Sequence, residues 1–181
     1  MPIKTRGLTT ADVAAVVAMT SEQTDSQQVY RRVETIAAET CGFVLLTTLK
    51  FVEAEGVVER IHSSDPASHP IGGRKPLDKL TESHGGKDGD VFLAATKADV
   101  ARAFYDHTFL FGMGIGSILN APIRHASYRL GTLNFCGTDS QYGTEEIETA
   151  TILAGLLVPC LLQETVAKPA NNPAVYSGDR R

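Results

Sequence analysis

The run YRLGTLNFC, residues 128–136, places Thr132, Asn134 and Cys136 at every second position, with Leu133 and Phe135 between them. In a strand, alternate side chains fall on opposite faces. A hydroxyl, an amide and a thiol therefore share one face, and two apolar side chains take the other. An amide offers two donors and an acceptor, enough to orient a small polar molecule. The competing reading is an asparagine bonded to nearby backbone, the usual fate of a buried amide. Upstream, Tyr105, Asp106, His107, Phe109 and Phe111 gather aromatic and charged groups within seven residues. Aromatic walls with a few polar groups suit a small planar or apolar ligand; the alternative is that the phenylalanines only pack their segment down. Arg102 can pair with an anionic ligand group or stand on a solvated helix face. Ser117, heading the strand before the 128–136 run, completes the candidate ligand-binding set.

Other chemistry is set aside on spacing. His62, Asp65 and His69 are metal-ligand types, but their spacing fits no zinc motif, and Pro66 and Pro70 stand within or beside the run. Asp88 and Asp90 in GGKDGD lack the remaining ligands of a calcium loop and read as a turn. The run Gly112-Met113-Gly114-Ile115-Gly116 has Ser117 where a dinucleotide fingerprint needs its third glycine. It also precedes a strand instead of following one. A hinge is the better reading. No Cys-His-acid order marks Cys136 as a nucleophile, and free cysteines are usually packing residues. No catalytic residue and no metal is assigned.

The elements that must hold these residues follow from pattern and composition. The chain has 181 residues, 17 Lys plus Arg and 21 Asp plus Glu, hence a net charge of -4. One domain is expected, and the acidic balance argues against a nucleic-acid surface. Cys41, Cys136 and Cys160 are odd in number and widely spaced, which implies no disulfide framework and a reducing, cytoplasmic setting. The apolar run Ile152–Leu162 is too short to span a bilayer, so no membrane partner is expected. Residues 1–22 read as an N-terminal extension with a helix capped by Thr10, its apolar run broken by Asp12. Residues 26–40 form an amphipathic helix, with Asp25 and Gln28 as a capping box. Residues 43–52 and 57–62 form a hairpin, and 63–90 is mostly loop with a short helix near Leu77–Ser83. Residues 91–95 are a strand, and 99–111 are helical in two pieces. Residues 117–124 and 128–136 form a second hairpin, with Pro122 at an edge or bulge. A last helix begins at a Thr144 cap and is kinked by Pro159. It is apolar nearly all round, which suggests burial both by the domain and by a partner. Residues 167–181 read as a disordered tail.

This order, with GMGIGSILNAPIRHASYRLGTLNFCGTDSQYGTEEIETATILAGLL, resembles the GAF family. The resemblance rests on the SILNAPI strand with its proline, the LGTLNF strand opening on glycine, and the Tyr-Gly-Thr-Glu-Glu turn into a long apolar helix. It extends back to about Gln23, making 23–166 the domain. It implies an α+β fold with a central six-stranded antiparallel sheet. The terminal helices would lie on one face, and a helical and loop lid would enclose a pocket on the other, into which Asn134 would point. It also implies a small-molecule ligand of unknown identity and a homodimer through the first and last helices. GAF domains usually sit beside an output domain. This chain leaves no room for one, so a separate output protein is expected. The Asn-Lys…Phe…Asp-Glu signature of cyclic-nucleotide members is missing. Segment 63–113 has no cysteine, which removes the lid cysteine of bilin-binding members and those of free methionine sulfoxide reductases.

The expected function is a small-molecule-binding sensor whose 91–116 lid orders on binding while the terminal helices report it. A ligand-free dimerisation module, with its pocket filled by Phe109 and Phe111, is the alternative. An enzyme using His107, Asp106 or Cys136 is a third reading.

Overall fold

A computed structural model describes residues 2–22, 25–77 and 90–166. In chain order the elements are α1 (Thr10–Ser21), α2 (Ser26–Thr40), β1 (Leu45–Val52), β2 (Val57–Ser63), β3 (Arg74–Pro76), β4 (Phe92–Ala94), α3 (Lys97–Ala103), α4 (His107–Gly112), β5 (Ser117–His125), β6 (Tyr128–Gly137), α5 (Thr144–Leu156) and α6 (Val158–Val166). The six strands form one sheet in the order β3-β2-β1-β6-β5-β4, and every neighbouring pair is antiparallel. The α+β fold with a six-stranded antiparallel sheet is as the sequence implied. β3 was not anticipated: it has three residues, all exposed, at the sheet edge, too short to carry a period. The expected helix near Leu77–Ser83 and the tail 167–181 fall largely or wholly outside the described residues.

One sheet face carries the main core. Leu46, Leu119, Ala121, Ile123, Leu133 and Phe135 project from β1, β5 and β6 onto Val29, Val33, Ile36 and Ala37 of α2, and onto Ala150, Leu153, Ala154 and Leu157 near or in α5. Leu161 of α6 and Val16 of α1 complete it, both fully buried. The expected helical layer is therefore present. Leu153 and Leu156 of α5 pack into this core, and its exposed strip carries Glu148, Thr151, Ile152 and Gly155. α5 stops at Leu156 and α6 starts at Val158, with Pro159 in the first turn of α6, where its missing N–H matters least. Pro122 lies in β5 opposite Thr132 of β6, beyond the last β4 partner, Asn120. Among the described residues no strand pairs with its other flank, in keeping with an edge position.

The chain start is woven into this layer. Thr9, not Thr10, caps α1: its side chain accepts from Asp12 N, and the Asp12 carboxylate accepts from Thr9 N at 3.0 Å. Asp12 is 5% exposed and is held by Arg6 through bonds of 2.5 and 2.9 Å. A buried carboxylate is tolerated because the guanidinium and the cap satisfy it. Asp12, which breaks the apolar run of the sequence, thus anchors the start of the expected helix. Arg6 also reaches Glu39, Lys4 bridges Glu145 and Glu146 at 2.8 Å each, and Phe43 N donates to the Pro2 carbonyl. Asp25 caps α2 by accepting from Gln27 N, one residue earlier than the box with Gln28. α5 is capped at Gly143, not Thr144, with Gly143 N donating to the Glu146 carboxylate at 2.9 Å.

Candidate functional site

The second sheet face is where the candidate side chains meet. Register places Thr47 opposite Asn134 and Leu49 opposite Thr132, and Asn120 opposite Asn134. Directly opposed residues share a face, so Thr47, Thr132, Asn134 and Asn120 form one polar patch across β1, β6 and β5. All four are buried, at 7, 1, 6 and 2% exposure respectively. Asn134 Nδ2 donates to Thr47 Oγ1 at 3.3 Å. Neither Asn134 Oδ1 nor Thr132 Oγ1 has a hydrogen-bond partner among the described residues. Such groups each cost about 1–3 kcal/mol when left unmade in the interior.

Apolar clusters flank this polar middle. Toward β4, Ala94, Val100, Ile115 and Ile118 pack with Phe104, Leu110, Phe111, Met113 and Cys136, so α3 and α4 cover that end of the face. Toward β2, Leu49, Phe51 and Val58 pack with Leu77. The segment before β5 turns at Gly114, at φ +81°, where a side chain is disfavoured. Gly116 lies so close to Asp139 that a Cβ would come within 2.7 Å of its backbone nitrogen.

Of the ten expected residues, Thr132 and Asn134 belong to the patch, and Cys136 lies on the same face within the α3–α4 cluster. Burial pushes the Cys136 thiol up to about 12, which keeps it protonated and unsuited to nucleophilic attack at neutral pH. Phe111 packs in the same cluster, under the His107 ring at 5.6 Å and with Lys97 Nζ 5.7 Å from its centroid. His107 Nδ1 lies 3.0 Å from the Phe104 carbonyl oxygen. Asp106 precedes α4 without a side-chain capping bond. Tyr105 and Phe109 face solvent at 94 and 63% exposure. Arg102 is exposed and ion-paired with Asp99. The Ser117 hydroxyl donates to the Thr138 carbonyl at 2.7 Å, which satisfies it within the fold.

Thr47 and Asn120 were missed by sequence reading. Thr47 sits in a run apolar on both faces, and Asn120 showed its partner only once register set it opposite Asn134. His62 and His69 do not converge. His62 turns to the helical face, where its Nε2 lies 2.7 Å from Glu34 Oε2, while Asp65 accepts from Ser68 N in the loop. Among the described residues, no three His, Cys, Asp or Glu side chains gather as metal ligands, and no helix is long and apolar enough to cross a membrane.

The unmade bond at Thr132 gives a direct prediction. Thr132→Val removes the buried hydroxyl and keeps the shape. The ligand-free protein is expected to be as stable as wild type or about 1–2 kcal/mol more stable. A urea titration checks this, and a loss of stability would mean that the hydroxyl has a protein partner.

No protein-family model matches the sequence, and no curated protein matches it in a sequence comparison. Solved structures do match. The GAF domain of a phosphoenolpyruvate-protein phosphotransferase from Coxiella burnetii superposes with a TM-score of 0.70 at 16% identity, over 87% of this chain and 94% of that one. The corresponding domain from Acinetobacter gives 0.68 at 10% identity, over 89 and 96%. A phycocyanobilin-bound GAF domain from a cyanobacterial phytochrome gives 0.66 at 16% identity, over 90 and 98%. With its strand order and two-faced layering, the chain has the GAF-domain fold.

Proposed function

We propose that this chain is a small-molecule-binding sensory or regulatory domain, with the Thr47–Asn120–Thr132–Asn134 patch as the floor of its ligand site. The observation that carries this reading is the pair of buried oxygens, Asn134 Oδ1 and Thr132 Oγ1, which have no hydrogen-bond partner among the described residues and lie between two apolar clusters. A ligand supplying donors there recovers the hydrogen bonds the protein forgoes. The solved neighbours are compatible with it. One carries phycocyanobilin, and another belongs to a methyl-accepting chemotaxis protein. With no cysteine in 63–113, the ligand is held without a thioether from the lid.

The α3–α4 segment acts as the lid and contributes Phe111 and His107 at its inner side. Ligand contacts that differ between open and closed states are required for a signal. The helical layer passes that signal to a second copy or a separate output protein. Val17 and Ile152 stand on this layer at 47 and 45% exposure, which supports a homodimer there. Free Cys41, Cys136 and Cys160 suit a cytoplasmic location. The ligand-free module calls for a pocket filled by its own side chains, such as Phe109 and Phe111; Phe111 packs inward in keeping with it, whereas Phe109, at 63% exposure, does not. The protonated Cys136 thiol weighs against the enzyme reading.

Native and denaturing mass spectra of freshly purified protein test this. The expected result is a dimer whose excess mass is lost on denaturation. Asn134→Leu is expected to lose that mass while remaining folded. Bound ligand is expected to slow hydrogen exchange in residues 91–116. A ligand retained in full by Asn134→Leu would remove the proposed floor, and unchanged exchange in 91–116 would remove the lid.

A further inference from the structure

We propose that Arg60, with His69 beside it, forms the anion-binding end of this ligand site, so that the ligand carries a carboxylate or phosphate at one end and an N–H or O–H donor at the other. The inference rests on the proposed floor and adds the charge class of its occupant. Arg60 lies opposite Leu49 across β1 and β2, and Leu49 lies opposite Thr132 across β1 and β6. Arg60 and Thr132 therefore share a face, two strand spacings or roughly 10 Å apart at the backbone.

The guanidinium of Arg60 is half-committed. Its Nη1 donates to the Pro70 carbonyl at 3.1 Å. Its Nε is buried and makes no hydrogen bond among the described residues. No described carboxylate pairs with it, although Arg6, Arg74 and Arg102 all have acidic partners. The edge formed by Nε and Nη2 is the fork that grips an oxyanion bidentately. Burial lowers the Arg60 pKa, so the charge is held at a cost that a bound anion would offset.

The surroundings are shaped to the same end. His69 has a buried Nδ1 that makes no hydrogen bond among the described residues. Its affinity for a proton is lowered by burial and then by the Arg60 charge, with Lys75 adding in the same sense and Asp65 opposing. The backbone closes around the arginine: Arg60 N donates to Gly73 O, and Gly72 N to Arg60 O. A Cβ on Gly73 would stand 2.9 Å from Arg60 Nη1. At the far end, Asn134 has committed one amide N–H to Thr47 and presents its Oδ1 as an acceptor, which favours a donor on the ligand.

Proton–nitrogen NMR tests this on the full chain by following the Arg60 Nε–H and the Asn134 side-chain amide separately. Inorganic phosphate and acetate are titrated, with sodium chloride at matched ionic strength as the control. The Arg60 Nε–H is expected to shift saturably with one or both oxyanions and not with chloride. A response to only one of them identifies the ligand's anionic group. Arg60→Gln is expected to weaken binding roughly tenfold to a hundredfold, and Arg60→Lys, which keeps the charge and loses the fork, to fall between. An Arg60 Nε–H unmoved by both anions, or equal affinity in Arg60→Gln, would overturn the proposal. Acetamide, a donor without charge, reports on the floor alone. If it moves Asn134 while neither anion moves Arg60, the floor stands and the anion end falls. If the anions move Arg60 while acetamide leaves Asn134 unmoved, the anion end stands and the floor falls.

Discussion

Gly131→Ala is expected to destabilise the protein by about 4 kcal/mol or more, at the severe end of single substitutions. Gly131 opens the LGTLNF strand and lies opposite Lys50 in the β1–β6 pair. A Cβ there would lie inside the contact radius of the Leu49 carbonyl oxygen, with Leu161 Cδ2 at 2.9 Å on its other side. The first neighbour is backbone of the central strand and cannot rotate away, so β1 and β6 would have to part or α6 to lift. The same substitution at Gly155 is the control. Gly155 lies within α5 with nothing within 4 Å of its Cβ position, and alanine favours helix by about 1 kcal/mol. Urea unfolding curves of the two variants are expected to move in opposite directions. Gly131→Ala within about 1 kcal/mol of wild type would show that the layer yields more readily than its packing implies.

Asp12→Ala is expected to cost about 3 kcal/mol, from a broken buried ion pair and a lost helix cap. For a domain of this size that lowers the melting temperature by about 6–12 °C. Arg6 is 35% exposed, so water recovers part of the loss on its side. The pH dependence has a defined sign. Hydrogen bonds from Arg6, with Thr9 adding, hold the Asp12 carboxyl well below its ordinary value of 3.8 against the opposing effect of burial. Its contribution is complete above about pH 4 and is lost as pH falls further, because the unfolded chain then binds the proton and the folded one does not. Wild type and Asp12→Ala are expected to converge in stability on acidification below pH 4. A constant gap would mean that lost packing of α1, and not the charge pair, sets the difference.

Both cases bear on what a sequence discloses. The amphipathic helix at 26–40, the two hairpins and the two-piece helix before β5 are local: each rests on a period or a turn residue that acts over a few positions. β3 has too few residues to show a period. The caps at Thr9 and Gly143 each stand one position before the residue the sequence suggested, because the choice between adjacent residues is made by which backbone N–H Asp12 and Glu146 can reach.

The functional face divides along the same line. Alternation in 128–136 by itself determined that Thr132, Asn134 and Cys136 share a face opposite Leu133 and Phe135, because side-chain direction in a strand has a period of two. Only the tertiary structure decided the rest. Register between β1 and β6, far apart in sequence, brought Thr47 to Asn134, and the bulged register of the β5–β6 hairpin set Asn120 opposite it. Packing of α3 and α4 turned Phe111 inward and left Tyr105 and Phe109 in solvent. The β2–β3 return folded over Arg60, whose Nε has no acceptor among the described residues. These outcomes depend on which distant groups meet and on how much water they lose, and neither is written in the spacing of residues along one strand or helix.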